Sequence, residues 1–139
     1  MGAYLFRQKT YNTISELANA MGANWDEGRE FLFSGKLRNE IRNTDKKLIN
    51  SILYLEKKYK ADPKKGNLLF LQWLVKMPGV RNLYWMGRNF GDLEKVSASI
   101  KSGSNEDIRK IVLLMIREQI FGDFVSNSGR YEQDRKSVV

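Results

Sequence analysis

Asp26, Glu27 and Glu30 could bring three carboxylates onto one helical turn, which is what general acid–base chemistry or an oxygen-ligated magnesium ion would require. They also open an amphipathic segment, and acidic side chains favour the positive end of a helix. That simpler role is the one expected. Gly87-Arg88-Asn89-Phe90-Gly91 carries the glycines of a phosphate-cradling turn. It lacks the spacing of a dinucleotide fingerprint and the Gly-Lys-Ser/Thr of a P-loop, so it reads as a hairpin turn. The chain has no cysteine and no histidine. That excludes disulfides, thiolate nucleophiles, Cys/His zinc sites and His-dependent triads. No catalytic, metal-ligating or cofactor-binding set emerges, and a noncatalytic domain is expected.

Charge is the other source of chemistry. Lysine and arginine number 24 against 16 acidic residues, a formal surplus of +8. Such a surplus attracts phosphate backbones or acidic proteins. The densest basic run is Lys57, Lys58, Lys60, Lys64 and Lys65; Arg38, Arg42, Lys46 and Lys47 precede it. Together they form the candidate surface of a nucleic-acid-binding domain, the alternative functional reading. No helix-turn-helix, RNP or zinc pattern accompanies them. Lysines near a helix C-terminus also complement its dipole.

Aromatic residues mark the leading candidate surface. Tyr84, Trp85, Arg88 and Phe90 lie within seven positions of each other, and aromatic side chains with arginine are common anchors of protein interfaces. A protein partner, or a neighbouring domain of the same chain, is expected there. Trp73 is expected in the core, and Trp25 and Trp85 as anchors of their local helices.

These residues need elements to hold them. The chain has 139 residues, 42% hydrophobic and 29% charged, a balance that suits one globular domain with a real core. The pattern predicts a mainly α fold: a bundle of about six to seven helices with two short β-hairpins. Tyr4 to Tyr11 and Leu83 to Phe90 are the extended segments. Thr13 to Glu16 is a capping box, with Gly22 as the stop of its helix. Asn24 opens a second helix, Leu37 to Ile41 forms a short third, and Thr44-Asp45 starts a longer one. Asp62-Pro63 begins the next, whose residues Leu68 to Met77 are apolar nearly all round; this should be the central, most buried helix. Asp92 starts another, and Ser104 should cap the last, with Ile108, Ile111, Val112, Met115, Ile116 and Ile120 on its buried side. Phe124 and Val125 should close the core. One domain is expected over 1–125, with a polar tail or linker over 126–139. The longest apolar run, Leu68 to Val75, is too short to span a bilayer, and Met1 to Arg7 has no apolar signal core. A cytoplasmic location without membrane contact is expected.

The two extended segments align with each other. Phe6-Arg7-Gln8-Lys9-Thr10-Tyr11 matches Trp85-Met86-Gly87-Arg88-Asn89-Phe90, and Ile14, Leu17 and Met21 match Leu93, Val96 and Ile100. An internal duplication would follow, each hairpin folding its aromatics over the helix behind it. Tyr11 to Met21, Asn24 to Gly28, Gly35-Lys36-Leu37 and Tyr84 to Leu93 together resemble an uncharacterised helical accessory module of bacterial multidomain proteins. That module sits beside heat-shock-chaperone-like ATPase or Ser/Thr-kinase-like regions. The resemblance covers about the first hundred residues. It implies an accessory or regulatory role and carries no catalytic residues with it.

Overall fold

The protein is described here by a computed structural model covering residues 3–127. The first hairpin pairs β1 (Tyr4–Phe6) with β2 (Lys9–Tyr11), Tyr4 opposite Tyr11 and Phe6 opposite Lys9. Its two turn residues, Arg7 and Gln8, have φ of 54° and 65°. Positive φ at both centres matches the right-handed twist of the strands. Helix α1 (Ile14–Ala23) follows, capped by the Thr13 hydroxyl, which accepts from the Glu16 amide at 3.1 Å. The Glu16 carboxylate reaches back to the Asn12 amide, one residue beyond the reciprocal partner expected of a capping box.

Asn24 ends α1 and immediately begins α2 (Trp25–Phe33). So sharp a junction forces close approach. A Cβ on Gly28 would lie 2.2 Å from the Met21 carbonyl oxygen. Gly22 is not the expected helix stop. It lies inside α1, where a Cβ would meet the Tyr84 ring at 2.6 Å. Its missing side chain makes room for the second hairpin.

Helices α3 (Lys36–Glu40) and α4 (Lys46–Ala61) come next; Asp45 caps α4 by accepting from the Lys47 and Leu48 amides. Asp62-Pro63 opens a 3-10 turn, Pro63–Lys65, and α5 (Gly66–Lys76) starts only after it. Pro63 restricts the entry to the turn, as expected of proline at a first position, and the α-helix itself begins three residues later. Leu69, Phe70, Leu71, Trp73, Leu74 and Val75 of α5 are all buried. Around them close Leu17, Met21, Leu32, Leu37, Ile52, Val96, Ile111, Met115 and Phe124. The expectation of a central helix at Leu68 to Met77 is met. Each fully buried Leu, Phe or Met contributes about 1.5–3 kcal/mol relative to exposure, so this layer dominates the fold.

The second hairpin pairs β3 (Tyr84–Trp85) with β4 (Arg88–Asn89) around Met86 and Gly87, with φ of 48° and 89°. Helix α6 (Leu93–Ser102) is capped by Asp92, which accepts from Lys95 as Thr13 does from Glu16. The turns, caps and helix starts therefore match in the aligned register, but the packing is not repeated. Tyr84 lies over Gly22 of α1, and Trp85 meets Trp25 of α2 edge to face at 5.5 Å. The second hairpin docks on the first pair of helices.

Helix α7 (Glu106–Arg117) is capped by Asn105, not by Ser104. The Asn105 side-chain oxygen accepts from the Asp107 and Ile108 amides, while the Ser104 hydroxyl pairs with Ser102. The helix ends earlier than its apolar pattern suggests. Gln119 takes φ 62°, and the Ile120 amide donates to Met115, a left-handed C-terminal cap. Residues 121–127 are helical again; Phe124 is buried and Val125 exposed. Asn127 donates to the carbonyls of Val75, Met77 and Val80, so the packed structure runs past the expected boundary at 125. The expected tail beyond it lies outside the described residues. Among the described residues no helix is long and apolar enough to cross a membrane.

Candidate functional site

A groove of about 510 Å³ lies between the start of α1, one side of α4 and the end of α5. Three local features place its walls. Asp45 sets the first turn of α4, so Leu48, Ser51 and Leu55 follow along one side. At the far end α5 presents Gln72, Trp73 and Lys76, and the chain leaves through Met77 and Pro78. The Ser15 hydroxyl ties α1 to this exit, donating to the Pro78 carbonyl at 2.6 Å, and the Asn19 side-chain amide donates to the Gly79 carbonyl at 3.2 Å. Gly79 takes φ 83°, and a Cβ there would lie 2.5 Å from the Ser15 oxygen.

Leu55, Trp73 and Met77 are buried and Tyr54 stands 57% exposed. The indole N–H of Trp73 is buried without a hydrogen-bond partner, the one such side-chain atom among the described residues. Lys47 and Lys76 line the groove, and the Lys58 ammonium lies 4.9 Å from the centre of the Tyr54 ring. None of these three lysines is in an ion pair among the described residues. Asp45, the acidic residue of the lining, already accepts from two amides of α4. The groove is thus apolar inside and positive at its margins.

The aromatic hairpin is placed differently from expectation. Tyr84 is buried at 6% exposure, and its hydroxyl donates to Asn19 at 2.9 Å. It is a core residue, and a contact surface cannot use it. Trp85 and Phe90 are half-buried. Arg88 pairs with Asp107 of α7, and its guanidinium lies 4.7 Å from the centre of the Phe90 ring. Met86, at the turn, is 55% exposed. Trp85, Met86, Arg88, Phe90 and Leu114 line a smaller concavity of about 320 Å³.

The basic candidates divide. Arg38 is held by Glu56 through two contacts, Nε to Oε2 at 2.9 Å and a second nitrogen to Oε1 at 3.3 Å. The hydrogen bonds to Glu56, and then its charge, hold the Arg38 guanidinium above its ordinary pKa. Arg42 is exposed and reaches Asn39. Lys46, Lys47, Lys57, Lys58 and Lys60 are all exposed on α4, with Lys64 and Lys65 on the following turn. At 1.5 Å per residue Lys46 and Lys60 are about 20 Å apart. At 100° per residue Lys46, Lys57 and Lys60 share one stripe, while Lys47 and Lys58 fall on the groove side with Tyr54.

The carboxylates considered for catalysis do not converge. Glu27 pairs with Arg7 at 2.7 Å, Asp26 with Arg29 at 3.9 Å and Glu30 with Lys36 at 3.9 Å. Among the described residues no group of acidic side chains could hold a metal ion. Gly87 is the second residue of the hairpin turn and Arg88–Asn89 form β4, with the Asn89 side chain accepting from the Gly91 amide.

No protein-family profile matches the chain, and no curated protein or solved structure is significantly similar to it.

The sequence pattern does not single out the groove residues as a site. Trp73, expected in the core, lies there and also lines the groove. One signal was available: Tyr54 stands among the lysines of α4, off its apolar stripe, and Lys76 ends a mainly apolar helix.

Proposed function

We propose that this chain is a noncatalytic protein-interaction domain, regulatory or accessory to a larger cytoplasmic protein, and that it holds its partner in the groove between α4 and α5. The single observation behind this reading is the groove itself. It offers about 510 Å³ of mainly apolar space and an exposed tyrosine, with the carboxylates that chemistry would need engaged elsewhere. Volumes of this order suit ligand pockets, and an apolar groove can receive the face of an amphipathic helix. The resemblance to bacterial accessory modules points to the same kind of role.

The test is a peptide library displayed on phage and selected against the folded chain. Selected peptides should share one site and lose binding to Tyr54→Ala while still binding Met86→Ala. Selection that depends on Met86 or Arg88 and ignores Tyr54 would move the interface to the second hairpin. That hairpin remains a secondary surface through Trp85, Met86, Arg88 and Phe90.

The lysines of α4 favour a second reading, nucleic-acid binding, because they are exposed and unpaired among the described residues. Phosphate contacts by Arg42, Lys46, Lys57, Lys58, Lys60, Lys64 and Lys65 would weaken steeply with salt. No binding of single- or double-stranded nucleic acid at low salt rejects it.

A further inference from the structure

The groove's chemistry also selects among partner segments, an inference that rests on reading the groove as an interaction site. The geometry points to an acidic amphipathic helix as the occupant. Its lining on α4 runs from Asp45 to Leu55, about 15 Å at 1.5 Å per residue, or close to three helical turns. A helix laid alongside would set side chains at i, i+4 and i+7 against Leu48, Leu55 and Met77. The margins set the sign of the partner. Lys47, Lys58 and Lys76 lack acidic partners among the described residues, and Asp45 is engaged by its own helix. Against three lysines and the single charge of Asp45 a basic segment would meet net repulsion, and complementary charge chiefly sets specificity and encounter rate. A phosphate backbone would gain from the lysines but leave the apolar interior empty.

The experiment is fluorescence anisotropy with synthetic helices of about fifteen residues. One carries Leu at i, i+4 and i+7 with flanking Glu. The second replaces each Glu by Lys, and the third scrambles the acidic sequence. The acidic helix should bind about tenfold or more tightly than either of the others, a span reasonable for rim charges. Lys47→Glu combined with Lys76→Glu should reverse the preference, and Tyr54→Ala should weaken the acidic helix; melting curves establish that each variant is folded. If both charged helices bind equally and both lose to Tyr54→Ala, the acidic partner is wrong while the groove stands. If the scrambled helix matches the acidic one, charge alone is at work and the inference fails. Binding indifferent to Tyr54→Ala and to the lysine reversals overturns groove and partner together. Failure of the acidic helix to bind, or its displacement by a DNA duplex, also overturns the inference.

Discussion

Glu56 is a mostly buried carboxylate near the end of α4, with a side chain only 11% exposed. Its partner is Arg38, which holds both oxygens. Removing one member of such a pair strands the other charge. Arg38→Ala should therefore lower the melting temperature clearly more than Lys57→Ala, an exposed residue outside any ion pair among the described residues; thermal denaturation of the two variants checks this. The pH sign follows from the raised Arg38 pKa. A cation held above its ordinary value adds stability that is complete below that value and lost only in strong alkali. No step in stability near neutrality should come from Arg38. At Gly28 the constraint is steric. Gly28→Ala places a carbon 2.2 Å from the Met21 carbonyl, and overpacking against backbone should cost about 3 kcal/mol or more in denaturant titration. Tyr84 separates a polar from a packing contribution. Tyr84→Phe removes only the bond to Asn19 and should cost about 1 kcal/mol. Tyr84→Ala should cost about 3–5 kcal/mol, as for other buried aromatics.

At the scale of elements, the caps decide where helices begin. Asn105, not Ser104, holds the first amides of α7. Asn105→Ala should then cost about 1 kcal/mol and Ser104→Ala close to nothing, by the same titration. The sequence made the wrong choice easy: both residues are good caps and adjacent, and the Ser104 hydroxyl turns out to pair with Ser102 instead. What depended on near neighbours was legible. The Thr13 cap, both hairpins and the all-round apolar α5 follow from residues within a few positions of each other. What depended on distant neighbours was not. Gly22 reads as a stop until Tyr84, far along the chain, is placed over it. The second hairpin reads as the partner of α6 until its aromatics are seen against α1 and α2. The groove belongs to the same class, since its ends are tied by a bond between Ser15 and Pro78, 63 positions apart.

For the whole molecule, charge and shape have to be read together. A surplus of +8 suggests a polyanion when the chain is a string of letters. In three dimensions Arg7, Arg29, Lys36, Arg38 and Arg88 are bound up with carboxylates. The lysines of α4 are among the cations outside these ion pairs, and those on one side of that helix border an apolar groove. That juxtaposition shifts the expected partner from a bare phosphate chain to an acidic segment with an oily face. The most direct measurement is a map of backbone amide shifts in the isotopically labelled protein as the acidic amphipathic helix is added. The perturbed residues should cluster at Leu48, Ser51, Tyr54, Trp73 and Met77, with Met86 and Arg88 unmoved. Shifts centred on Met86 to Phe90, or scattered over Lys46, Lys57, Lys60, Lys64 and Lys65 alone, would contradict the groove as the binding site.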